Sequence, residues 1–185
     1  TEEKLTIDLS RLTALEHLEF CGLFDCTLKG LEHLTHLTTL ELEEVDIDIN
    51  TLPKMPQLKR LHFDGSEYEV KGLSQFPQLE ELKVGGAKKI RLKGLHKLKV
   101  LDLSNNIYLT EFNCFDDLPV LEKLSLSELY CENSAELIDL KQLKNLKELK
   151  WLSLMESEMN SLEGIGALTQ LEYLDLYQTG ITHVE

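Results

Sequence analysis

Apolar residues recur along the chain in a fixed phrase, apolar-x-x-apolar-x-apolar. Its eight copies begin at Leu15, Leu37, Leu58, Leu79, Leu98, Leu121, Leu149 and Leu171, at intervals of 22, 21, 21, 19, 23, 28 and 22 residues. The last two apolar residues of each phrase alternate with polar ones, the period of a strand. Upstream of each start, apolar residues stand at three-residue steps, which suits 3-10 turns, where i and i+3 eclipse. Five apolar columns run through all eight copies, from Leu9, Leu12, Leu15, Leu18 and Phe20 to Ile165, Leu168, Leu171, Leu174 and Leu176. Pro56, Pro77 and Pro119 each stand two residues before a start, where proline suits the approach to a strand and not its interior. The pattern predicts about eight short parallel strands, each followed by a turn and a return path, stacked over one continuous core.

This pattern resembles the leucine-rich-repeat family across nearly the whole chain. The last unit, SLEGIGALTQLEYLDLYQTGITHVE, is most similar to the 22-residue class of internalins and of phosphatase-regulator-type repeat proteins. The resemblance implies an α/β solenoid, a curved horseshoe with strands on the concave face and loops and 3-10 turns on the convex face. The family places Asn eight residues after the phrase start. Here only Asn106 fits, the others being Leu23, Val45, Ser66, Ala87, Leu129, Ser157 and Thr179, so less regular turns are expected. Apolar Ile90 and Leu109 arrive one position late, predicting widened turns near Lys88 and Tyr108. The 28-residue interval carries Asn133 and Glu136 at capping-box spacing, then Leu137, Leu140, Leu143 and Leu146. This reads as one longer α-helix over 134–147 on the convex side. Residues 1–185 read as a single solenoid domain of a longer chain, because neither end shows an atypical capping repeat.

Charge narrows the function. Nineteen bases against 33 acids leave a net charge of −14, which argues against nucleic acid and anionic membranes as partners. No apolar run approaches the roughly 20 residues of a membrane span. The four cysteines, Cys21, Cys26, Cys114 and Cys131, lack C-x-x-C spacing. They read as unpaired thiols of an intracellular compartment, with a Cys21–Cys26 bridge and a secreted or cell-surface setting as alternatives. No catalytic, cofactor or phosphate-loop motif is present, so no enzyme and no cofactor is expected. Gly85-Gly86-Ala87-Lys88-Lys89 reads as a tight turn, and His33 and His36 as surface residues.

The polar positions of each phrase, at two, four, six and seven residues after its start, face out of the concave side. These 32 positions hold ten acids and three bases, Arg60, Lys83 and Lys123. The acids crowd the N-terminal half as Glu19, Glu41, Glu43, Glu44 and Asp64, with His62 among them. Trp151, Met155, Tyr173 and Tyr177 occupy the same columns in the last two repeats. Neighbouring strands lie about 4.8 Å apart, so Trp151 should touch Tyr173, and Met155 should touch Tyr177. Trp and Tyr are enriched where partners bind. The expected function is therefore a non-catalytic interaction module taking a protein partner with a basic patch. The alternatives are a recruiting domain of a larger enzyme or secreted effector and, more weakly, a metal site of Glu19, Glu41, Glu43, His62 and Asp64.

Overall fold

The computed structural model describes residues 5–22, 26–45, 48–64, 69–113, 115–129, 139–159 and 161–181. They contain thirteen short strands: β1 (Leu5–Asp8), β2 (His17–Cys21), β3 (Cys26–Lys29), β4 (Thr39–Glu43), β5 (Arg60–Asp64), β6 (Glu69–Val70), β7 (Glu81–Gly85), β8 (Lys89–Arg91), β9 (Val100–Asp102), β10 (Glu111–Asn113), β11 (Lys123–Ser125), β12 (Trp151–Ser153) and β13 (Tyr173–Asp175). Eight form the concave sheet in the order β13-β12-β11-β9-β7-β5-β4-β2, every pair parallel. Each of the eight phrases contributes one of these strands. On the return side lie the two-stranded β1-β3 and three-stranded β10-β8-β6 sheets.

One backbone contact repeats through the stack. The carbonyl one residue after each of the first seven phrase starts accepts two N–H groups from the next repeat, as Glu16 does from Thr38 and Thr39 at 2.9 and 3.1 Å. Leu40, Leu61, Leu82, Leu101, Leu124 and Leu152 then point inward and are no more than 1% exposed. Leu18 and Phe20, expected in the core, are only half-buried, because among the described residues β2 is an edge strand of the sheet. Glu41 and His62, expected exposed, are half-buried by the ion pairs described below. Ile90 and Leu109 are buried while Tyr108 is 49% exposed, so the chain bulges at Tyr108 and returns to the core one residue late.

The α-helix expected over 134–147 is corrected where it can be seen. Residues 131–138 lie outside the described part, and Leu140–Asn145 form a 3-10 helix capped by Asp139, whose carboxylate accepts the Lys141 N–H at 2.9 Å. The spacing explains the result. Residues three apart eclipse in a 3-10 helix but drift around an α-helix. Leu140, Leu143 and Leu146 are all 1% exposed.

Among the described residues, seven of the eight concave strands are left through a left-handed residue seven positions after the phrase start. Gly22 and Gly86 fill it with φ of 69° and 66°, but Glu44, Asn105, Glu128, Glu156 and Gln178 also adopt φ of 51–61°. A side chain with a Cβ pays about 1–2 kcal/mol for this conformation, and glycine pays in unfolded-state freedom instead. Glu128→Gly should therefore stabilise the chain by about 0.5–1 kcal/mol, read as a rise in the urea midpoint at unchanged m-value.

Candidate functional site

The concave columns assemble in the expected register. Glu19, Glu41, His62, Lys83, Asp102, Ser125, Ser153 and Asp175 stand side by side across the eight strands, as do His17, Thr39, Arg60, Glu81, Val100, Lys123, Trp151 and Tyr173.

At the N-terminal half the acids are partly matched. His62 Nε2 lies 3.0 Å from Glu81 Oε1 and its Nδ1 3.7 Å from Glu41 Oε1. Arg60 Nε reaches Glu81 Oε2 at 3.4 Å, and Lys83 Nζ reaches Glu43 Oε1 at 3.6 Å. Among the described residues Glu19 and Glu44 form no ion pair. The Asp64 carboxylate folds over Gly85, where a Cβ would collide with Asp64 Oδ1. Partial burial pushes the Asp64 carboxyl above 3.8, Glu43 and Glu44 push it the same way, and Lys83 opposes them. The charged form is thus disfavoured by folding. That penalty is absent below pH 3.8, where folded and unfolded chains are both protonated, and complete once pH exceeds the folded-state value. Asp64→Asn should raise the thermal midpoint at pH 7 and leave it unchanged near pH 3.

Among the described residues no group of three or more His, Cys, Asp or Glu is placed to hold a metal ion. Cys21, exposed at the end of β2, and buried Cys26 are both free thiols; Cys114 and Cys131 lie outside the described residues.

The middle of the face is low and polar. Ser104, Ser125, Ser127 and Ser153 form a continuous hydroxyl chain, with oxygens 2.7, 3.2 and 2.8 Å apart. Ser127 and Ser153 are buried, so they form a floor between taller side chains on either side. These serines already stand in the outward columns of the sequence, yet their chain escapes a reading of charge and aromatic content alone.

At the C-terminal half the aromatic rings meet. Trp151 and Tyr173 stack with centroids 5.3 Å apart and planes 3° from parallel. Trp151 and Met155 are half-buried, whereas Tyr173 and Tyr177 are 46% and 62% exposed. Asp175 Oδ1 accepts the Tyr177 N–H at 3.0 Å and holds the turn on which Tyr177 sits.

A second feature missing from the sequence reading is a ladder of alternating charge, one residue after each of the last six phrase starts. Lys59, Glu80, Lys99, Glu122, Lys150 and Glu172 occupy successive rungs. Glu80 meets Lys59 at 3.7 Å and Lys99 at 2.9 Å, and Lys150 meets Glu122 at 3.2 Å. The Lys99 hydrogen bond lowers the Glu80 carboxyl below 4.5, and Glu80 in turn raises the Lys99 ammonium.

Within this stack, residues 89–128 match the family model for the leucine rich repeat, and the eightfold register carries the same unit through the rest of the sheet. The fold is that of a leucine-rich-repeat solenoid. No curated protein matches the chain in sequence. Its fold is similar to that of internalin C2 from Listeria monocytogenes str. 4b F2365, at 18% identity and a TM-score of 0.61 over 92% of this chain and 82% of that one. The functional domain of InlJ from Listeria monocytogenes is similar at 16% identity and a TM-score of 0.53, and the leucine-rich-repeat chain spans 50% of its length. The plant peptide hormone receptor RGFR1, solved in complex with RGF2, is similar at 16% identity and a TM-score of 0.59 over 96% of this chain and 29% of that one. Among the described residues no helix is long and apolar enough to cross a membrane.

Proposed function

We propose that this chain is a non-catalytic protein-interaction module that takes its partner on the concave face. The observation that carries the reading is the Trp151–Tyr173 stack, placed outward on a sheet whose inward positions are filled by Leu, Phe and Val. A solvent-facing strand position has no folding demand for Trp, whereas Trp and Tyr supply rigid anchors for a partner. Met155 and Tyr177 widen that anchor. At the other end Glu19, Glu44 and Asp64, with Glu41 and Glu43 behind their bases, favour a partner that brings Lys or Arg. The serine floor lets the partner's chain approach the sheet between the two. The complex of RGFR1 with RGF2 supports the reading, as a protein of this fold bound to another molecule.

The test is kinetic. Charge complementarity acts mainly on the association rate and is screened over about 8 Å at physiological salt. A concave-face partner should therefore associate more slowly as ionic strength rises, and the Glu19→Lys, Glu44→Lys double variant should associate more slowly still. A convex-side substitution such as Lys144→Glu should leave the rate unchanged. An association rate indifferent to salt and to both variants counts against the acidic half of the proposal.

A further inference from the structure

We infer that His62 is a proton-operated latch on Glu41: charged, it ties Glu41 and Glu81 together across three strands; neutral, it releases the Glu41 carboxylate to the open face. The register places the ring between them. Glu41 on β4 stands directly beside His62 on β5, and Glu81 on β7 stands beside Arg60. Nε2 is 3.0 Å from Glu81 Oε1, and Nδ1 is 3.7 Å from Glu41 Oε1. The His62 side chain is only 18% exposed, so water competes weakly for either nitrogen.

A carboxylate can only accept a hydrogen bond, so the contact with Glu81 fixes a proton on Nε2 in either charge state. The second nitrogen decides the rest. In the neutral ring Nδ1 carries a lone pair, which faces the negative Glu41 oxygen and repels it. A proton on Nδ1 lets the same approach close to a charge-assisted hydrogen bond. The two carboxylates respond differently because their other partners differ. Glu81 is also held by Arg60, whose Nε lies 3.4 Å from its Oε2, and stays in place when His62 loses its proton. Among the described residues no other base pairs with Glu41. Lys83, next to His62 on β7, reaches Glu43 on β4 at 3.6 Å, and Asp64, two residues along β5, lies over Gly85. Glu41, Glu43, Arg60, Asp64, Glu81 and Lys83 are thus the charged groups around the ring, and Glu41 is the acid whose paired base is the ring alone.

Histidine changes charge between about pH 5 and 8, so the latch works in the neutral range. Opening it removes one positive charge from the acidic half of the face and frees a carboxylate beside Glu19, the neighbour of Glu41 on β2. The consequence for binding rests on the reading above that this half takes a basic partner. Such a partner should bind more tightly as pH rises through the histidine range.

The latch is tested first on the full chain alone. Carbon-13 NMR follows the His62 ring and the Glu41 side chain from about pH 5.5 to about pH 8. The Glu41 carboxyl carbon should shift with the midpoint of the His62 ring, and the side chain should gain rotamer freedom above it. His62→Gln, whose amide can still donate to Glu81, should abolish both changes. Its thermal midpoint is measured alongside, and the wild-type spectra decide alone if that chain does not fold. Hexalysine is the probe for the consequence. At constant ionic strength the wild-type chain should bind it about threefold more tightly at the upper pH, the scale of one or two surface charge pairs. His17, also on the face, titrates in both chains, so the part of this difference that His62→Gln removes belongs to His62. A Glu41 side chain whose shift and mobility stay flat through the His62 midpoint overturns the latch. So does an equal Glu41 response in the His62→Gln chain, or a pH difference in hexalysine binding that this variant leaves unchanged. Hexalysine that binds at neither pH while Glu41 follows His62 sustains the latch and overturns the basic-partner reading instead.

Discussion

Asn106→Leu is expected to lower the unfolding free energy by about 3–5 kcal/mol, because each buried polar group left without a partner costs about 1–3 kcal/mol. The Asn106 side chain is 0% exposed and sits where three backbone groups turn away from the sheet. Its Nδ2 donates to Val84 O at 2.6 Å and Leu103 O at 2.7 Å, and its Oδ1 accepts the Ala87 N–H at 2.7 Å. Leu keeps the branch at Cγ but can pair with none of them. At about 2–4 °C per kcal/mol for a chain of this size, the midpoint should fall by about 6–20 °C. Thr179→Val, which removes the hydroxyl donated to Leu176 O at 3.0 Å, should cost far less, because that turn keeps its backbone bonds. Thermal unfolding of the two variants side by side checks the contrast.

Trp151→Ala is expected to weaken partner binding by about 2 kcal/mol or more, roughly thirtyfold, since buried Trp anchors carry a disproportionate share of interface energy. The same substitution should cost about 1 kcal/mol of stability, the worth of the lost ring stack with Tyr173. No cavity opens, because Trp151 faces out of the sheet while the neighbouring Leu152 fills the core. Calorimetric titration and the thermal midpoint of the variant give the two numbers. Normal binding with a midpoint many degrees lower would make Trp151 a structural residue.

The architecture was legible because the core columns repeat without exception, and a strand register follows directly from such columns. The concave face inherited that legibility: the Trp151–Tyr173 contact follows from two residues sharing a column in adjacent strands. What escaped were features whose residue types mislead. The left-handed position at the end of each strand is occupied by Glu44, Glu128 and Gln178, residues that give no sign of positive φ. The Lys–Glu ladder lies beside the core column and outside the face columns, so neither pattern includes it. The turn role of Asn106 is partly taken by Ser157, which donates to Leu126 O and accepts from Leu129 N at 3.4 Å, and by Thr179. A hydroxyl serves fewer backbone groups than an amide, and that shortfall is the chemical form of the irregularity. The Leu140, Leu143, Leu146 spacing was read as an α-helix although a three-residue step belongs to the tighter helix that forms.

Trp151 is the sole tryptophan of the chain, so the central claim has a reporter already inside the candidate site. Incorporating 5-fluorotryptophan yields a single fluorine resonance from that ring. On titration with a bound protein partner, the concave-face account predicts that this resonance shifts or broadens and loses its solvent-isotope and paramagnetic-quencher sensitivity in proportion to complex formed. A partner that binds fully while the resonance keeps its position and its solvent exposure would contradict it.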